Sequence, residues 1–213
     1  MNSYQKEQLE ALAMVRSRLR QMKPAGVDQL NASMGPYLEF RSRLERFTQT
    51  HMAGHCTRSC FQSRTSACCS RDGIITFWAD VVINAVCATP ERMDLMASSI
   101  QQPLRAEKCI YLGETGCVWK IRPLVCAMFV CDAIQADVID ADARRSAQWR
   151  RFTAQAKSFR WPDRPVLFDQ LEMIFLDLGC RSPLMYINNS PGLMRVKQKA
   201  AGSKAKFSPD HTP

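Results

Sequence analysis

The sequence predicts a mainly α, irregular fold, with helices around a cysteine-rich metal-binding core and one short β-hairpin. Three observations predict it. Apolar residues recur at three- and four-residue spacing along most of the chain. Eight of the ten cysteines fall into two blocks of four, Cys56-x3-Cys60-x7-Cys68-Cys69 and Cys109-x7-Cys117-x8-Cys126-x4-Cys131. Two short apolar runs, from Cys109 and from Cys117, flank Gly113-Glu114-Thr115-Gly116, which is a hairpin signal.

Residues 1–50 read as an N-terminal helical segment. Leu12, Val15, Leu19 and Met22 mark a helix over 4–22, and Lys23-Pro24-Ala25-Gly26 breaks it. Asp28 can cap a second helix through Leu30 and Met34, which Gly35-Pro36 interrupts. A third segment over 37–50 carries Tyr37, Leu38, Leu44 and Phe47, so the quarter reads as a helical hairpin closed by packing.

Residues 51–132 read as a cysteine-cluster metal-binding domain. From 51 to 72 the apolar periodicity gives way to histidine, cysteine, serine and threonine, and Asp72-Gly73 reads as a turn. A loop of that length inside a folded domain needs something to pin it. Thr76 is placed to cap a helix over 77–88, and Thr89-Pro90-Glu91 to start another that Pro103 ends. After the hairpin, Arg122-Pro123 opens a turn or short helix carrying Cys126. Positions five apart do not share a helix face, so that helix must end before Cys131 if both thiols serve one metal.

Residues 133–196 read as C-terminal helices packing on this domain. The first, over 139–160, is rich in arginine. The second starts at Pro165, presents Leu167, Phe168, Leu171, Ile174, Phe175 and Leu178 on one face, and stops at Gly179. Residues 197–213 read as a disordered basic tail.

The polar N-terminus has no secretory apolar region, and no apolar run reaches about 18 residues. A cytoplasmic protein without a membrane span is expected, and in a reducing compartment cysteines serve metals or catalysis rather than disulfides. The formal charge is +9. Eight thiolates and two zinc ions would bring it to about +5, so much of the basicity balances sulfur.

Four thiolates suit a structural zinc ion or an iron–sulfur cluster, so the eight cysteines match two such sites, or one site and a second use. The assigned ligands are Cys56, Cys60, Cys68, Cys69, Cys109, Cys117, Cys126 and Cys131, and the spacing leaves zinc and iron–sulfur both open. Cys87 on an apolar helix and Cys180 after a helix stop read as small buried hydrophobes. His51 and His55 are four apart, but eight thiols already satisfy two sites. Tyr111 and Trp119 read as cross-strand neighbours that shield the cluster or simply pack.

The order C-x3-C, Cys68-Cys69, Gly73-Ile74-Ile75-Thr76 with Asp80, Cys109-x-Tyr-Leu, Gly116-Cys117 and Arg122-Pro123-x2-Cys126-x4-Cys131 resembles the YkgJ-type cysteine-cluster family. The resemblance covers residues 56–131 and implies a zinc- or iron-chelating domain. The same cluster resembles part of the flagellin lysine N-methylases. The family has a tighter C-x2-C-x2-C-C start, and it often has arginine where Ala127 stands here.

Three functions follow as expectations: a metal-binding protein, an iron–sulfur-dependent redox or methyl-transfer enzyme, and a nucleic-acid-binding module. For the last, the helix bearing Arg144, Arg145, Arg150, Arg151, Lys157 and Arg160 is the candidate, against a plain solvated basic face. There is no G-x-S-x-G, no glycine-rich phosphate loop, no H-E-x-x-H and no G-x-G-like turn, so no catalytic residue is assigned.

Overall fold

The computed structural model describes residues 1–62, 75–103, 109–113, 116–160, 166–190 and 192–205. The described chain is mainly helical, with one two-stranded antiparallel hairpin. No described helix is long and apolar enough to cross a membrane.

Helix α1 (Ser3–Gln21) starts on a capping box in which Asn2 and Gln5 exchange side-chain and backbone hydrogen bonds. It packs on α4 (Trp78–Cys87) and α5 (Pro90–Gln101) through Ala11, Leu12 and Val15. Buried Gln5 donates from Nε2 to the carbonyls of Ile100 at 2.7 Å and Gln102 at 2.8 Å, so it closes the C-terminal end of α5.

The break expected at Gly35-Pro36 does not occur. Helix α2 runs unbroken from Pro24 to His51 with Pro36 inside it, and Pro24 rather than Asp28 marks its start. An interior proline costs a helix about 3 kcal/mol. Leu30, Met34, Tyr37, Phe40, Leu44 and Phe47 are all buried along one face, and each contributes about 1.5–3 kcal/mol. The tertiary term wins by a wide margin. Because α2 packs on α4 and α8 (Ala143–Arg160) while α1 packs on α4 and α5, the N-terminal quarter is built into the common core.

The stretch expected to be loop from residue 51 is helical in its first half. The short α3 (Ala53–Cys56) and a π-helical turn (Thr57–Gln62) continue from α2. Residues 63–74, with Cys68, Cys69 and Asp72, lie outside the described residues.

Phe77, not Thr76, is the N-cap of α4, and Asp80 supplies the capping carboxylate to its backbone N–H at 3.0 Å. Helix α5 starts at Pro90 as expected, and Thr89 is its N-cap, accepting from Arg92 N–H at 3.3 Å. Strands β1 (Leu112–Gly113) and β2 (Gly116–Cys117) pair Leu112 with Cys117 and Gly113 with Gly116. Gly116 has φ +116°, a turn conformation that other residues rarely adopt. Tyr111 and Trp119 meet edge to face at 5.1 Å and are both buried.

Helix α6 (Leu124–Met128) ends before Cys131, and α7 (Asp132–Ile134) leads through a second π-helical turn (Gln135–Asp140) into α8. Helix α9 (Leu167–Asp177) buries Leu167, Phe168, Leu171 and Phe175, whereas Ile174 and Leu178, expected on the same face, are exposed. Gly179 ends this region at φ +81°. Aromatic rings from α2, α8, α9 and the N-cap of α4 form a connected layer, including Tyr37–Phe159 at 5.2 Å and Phe77–Phe168 at 5.7 Å, and Trp78 of α4 separately meets Phe175 of α9 at 5.5 Å.

The short α10 (Tyr186–Asn189) is followed by α11 (Gly192–Ala205), so the segment expected to be a tail from 197 is helical as far as Ala205. A buried ion pair holds it. Lys197 Nζ donates to both oxygens of Asp169 at 2.7 and 2.8 Å, and both side chains are fully buried. Tyr186 Oη also donates to Asp169. Composition alone read this lysine as tail charge. Its carboxylate partner is 28 residues away and cannot be inferred from local sequence.

Buried Glu172 accepts from the backbone N–H groups of Tyr186 at 3.1 Å and Ile187 at 2.9 Å. Burial pushes its carboxyl up to about 7, with neighbouring Asp169 adding to the rise. The folded state therefore holds a proton that the unfolded chain releases. The stability this provides is complete below about pH 4.5 and is lost as pH rises through about 7. Glu172→Gln should remove that dependence. Across this window the stability difference between wild type and variant should change by about 3 kcal/mol. Thermal denaturation at a series of pH values measures it, and parallel curves would refute the assignment.

Candidate metal centre

The second cysteine block is positioned by side chains from three helices that grip its backbone. Asp80, buried in α4, accepts from Leu124 N–H at 3.2 Å through one oxygen while the other caps its own helix. One carboxylate thus ties the start of α6, which carries Cys126, to α4. One turn on, Asn84 donates to the Ile121 carbonyl at 2.8 Å and accepts from the Ile121 N–H at 2.9 Å.

From α5, Arg92 donates to the carbonyls of Val118 at 2.7 Å and Cys117 at 3.2 Å. From α2, Arg41 Nη1 donates to the Arg122 carbonyl at 2.7 Å and to Tyr37 Oη at 2.8 Å. Arg122 in turn pairs with Glu45 at 3.3 Å. The residues from Cys117 to Leu124 have little regular structure, and these contacts satisfy backbone groups that a helix or sheet would otherwise pair.

Cys56, at the end of α3, lines a cavity of about 1140 Å³ together with Cys117 on β2, Cys126 on α6 and Cys131 at the N-cap of α7. The cavity joins one cysteine of the first block to three of the second. Cys109 is not part of its lining. Burial pushes the Cys109 thiol up to about 12, and the proximity of Cys117 and Cys126 adds to the rise. Its sulfur accepts from Tyr111 N–H at 3.4 Å. Burial also raises the Cys117 thiol.

Thiols held protonated in this way are poor nucleophiles. Binding a soft cation would require such thiols to give up their protons. Among the described residues, no three His, Cys, Asp or Glu side chains converge as a ligand set. The side chain of Cys60, together with Cys68 and Cys69, lies outside the described residues.

Cys87 departs from its expected role. It is the last residue of α4, where the helix emerges from the core, and it lines the cavity half-exposed rather than filling the interior. Cys180 is buried as expected. His55 lines the cavity, but His51 packs on Phe47 at 4.8 Å and faces a different groove, so the two histidines do not act together. Trp119 also lines the cavity, and its buried indole N–H has no acceptor among the described residues.

Asn84, Arg41 and Arg92 carry no motif. The sequence signal that could have found them is the presence of polar residues on otherwise apolar helix faces. No protein-family model, no curated protein and no solved structure matches the chain.

Asp80→Ala orphans two backbone N–H groups, one of them at the start of α6. It should lower stability by about 2–4 kcal/mol. It should also speed alkylation of Cys126 relative to Cys180, read by mass spectrometry after a short pulse. Unchanged labelling of Cys126 would refute the tether.

Proposed function

We propose that this chain is a metal-binding protein that holds zinc or an iron–sulfur cluster through the cysteines of its two blocks, and that it belongs with the YkgJ-type cysteine-cluster proteins. The observation that supports the reading is the shared cavity, whose wall carries Cys56 together with Cys117, Cys126 and Cys131. These four thiols come from segments 61 to 75 residues apart in sequence, from Cys56 to Cys117 and Cys131. Packing energy alone gives no reason to gather them.

The remaining donors are assigned to Cys109, Cys60, Cys68 and Cys69. Bound metal would supply the crosslink that the irregular backbone of the second block lacks. The chain's own residues would hold the donors: Asp80 fixes Cys126 through Leu124, and Arg92 fixes Cys117. The indole N–H of Trp119 is a donor available to a metal-bound sulfur, a contact that stabilises thiolate charge.

The cavity volume favours a second reading. Ligand sites occupy about 300–1000 Å³, and this cavity, at about 1140 Å³, exceeds what a metal ion fills. An iron–sulfur-dependent redox or methyl-transfer enzyme would use that space for a substrate beside the cluster.

Cys126→Ser should lose bound metal and melt at a lower temperature, because metal-binding free energy is also folding free energy. Elemental analysis of wild type and variant, with thermal denaturation of both, measures this. Full metal content with unchanged melting would overturn the metal reading. A visible spectrum of anaerobically purified wild type separates the two readings. Broad absorption bleached by reductant supports the enzyme, and a colourless protein with stoichiometric zinc rules it out.

A further inference from the structure

A second site lies away from the cysteines, on the groove between α2 and α8. The spacing 43, 46, 47, 50 on α2 and 144, 147, 148, 151, 155 on α8 brings one face of each helix to a common cleft of about 750 Å³. Arg43, Arg46 and His51 line it from α2, and Arg144 and Arg151 from α8. All four arginines are exposed.

Among the described residues, no aspartate or glutamate lines the cleft. Asp142, just ahead of α8, pairs with Arg145 instead. The floor is apolar and closed. Phe47 and Phe152 are buried and contact each other at 5.5 Å, and Phe47 stacks on Trp149 at 5.8 Å. Arg43 is held across the cleft by a hydrogen bond from Nη2 to Gln155 Oε1 at 3.0 Å.

Four guanidinium groups on a rigid two-helix frame, without a carboxylate among them, repel one another. The arrangement is stabilised when an anion enters, and the planar fork of arginine suits phosphate oxygens. At 1.5 Å per residue, the lining spans about 12 Å along α2 and about 16 Å along α8. That length exceeds one phosphate even for a strand stretched beyond the duplex rise of ~3.4 Å per nucleotide.

Among the described residues, none of the exposed large hydrophobic side chains, Leu95, Phe129 and Val196 included, lines the cleft. An apolar anchor for a bilayer or a peptide is therefore missing there. With Phe47 and Phe152 buried, no phenyl ring is presented for base stacking, and His51 is the one partly exposed ring among the described lining residues. The geometry points to a binding site for the phosphodiester backbone of a nucleic acid strand, engaged without sequence preference by Arg43, Arg46, Arg144 and Arg151. Neither helix carries a cysteine of the two blocks, so this site stands or falls independently of the metal reading.

Fluorescence anisotropy with a labelled 12-nucleotide oligothymidine tests it on the full chain as purified. Four phosphate contacts predict a slope of log affinity on log salt of about −2.8. The double variant Arg46→Gln/Arg151→Gln should bring the slope to about −1.4 and weaken binding at least tenfold at low salt. A control with the same charge loss on exposed positions of α1, Lys6→Gln/Arg20→Gln, should keep the wild-type slope. Equal losses in the two double variants would overturn the site in favour of diffuse charge. So would wild-type binding that does not weaken with salt. A third arm uses vesicles containing phosphatidylserine. Vesicle binding that depends on Arg46 and Arg151, with no effect of those variants on the oligonucleotide, would assign the groove to a membrane and also overturn the proposal.

Discussion

The hydrogen bonds that α4 makes through Asp80 and Asn84 are the constraint on which the rest of the cysteine region depends. Helix α4 is buried on nearly every side, so a polar residue there must find a partner or carry a heavy desolvation cost. Its two polar side chains pair with backbone at Phe77, Ile121 and Leu124. The hairpin exit and the start of α6 are thereby fixed against the core. The positions of Cys117 and Cys126 follow from that attachment.

The cysteines themselves are distributed by this frame rather than by local structure. Cys56 arrives on a short helix that extends α2, and Cys131 on the N-cap of α7. In a water-filled loop such thiols would ionise near their ordinary value. Here burial holds Cys109 and Cys117 protonated, which makes them inert as nucleophiles but leaves them as donors for a cation able to displace the proton. Any cation bound there would have to displace those protons and repay the cost of burying thiolate charge.

Two features of the C-terminal half show charge used in opposite ways. Lys197 is drawn wholly into the interior, where Asp169 satisfies it and Tyr186 completes the carboxylate's contacts. A buried pair of this kind specifies where α11 docks more than it adds stability. The arginines of the α2–α8 groove remain on the surface, with no carboxylate among the described lining residues. Their unbalanced charge is tolerable in water, and an incoming anion would complement it.

Sequence by itself determined the helical class, the bounds of α1, α4, α5 and α9 to within about two residues, the glycine stop at Gly179, the hairpin around Gly116 and the grouping of eight cysteines. These are local properties, carried by periodicity, caps and turn chemistry within a few residues. It misread Pro36 because the cost of a proline is local, whereas the six buried residues that outweigh it act through tertiary packing. It misread residues 197–205 because the partner of Lys197 lies at Asp169. It set Cys87 aside because a pattern of apolar neighbours does not reveal that α4 ends at the cavity wall. Only the tertiary structure decided that Cys56, Cys117, Cys126 and Cys131 share a cavity and that arginines of α2 and α8 share a groove. Both depend on contacts between segments far apart in the chain, which local sequence does not encode.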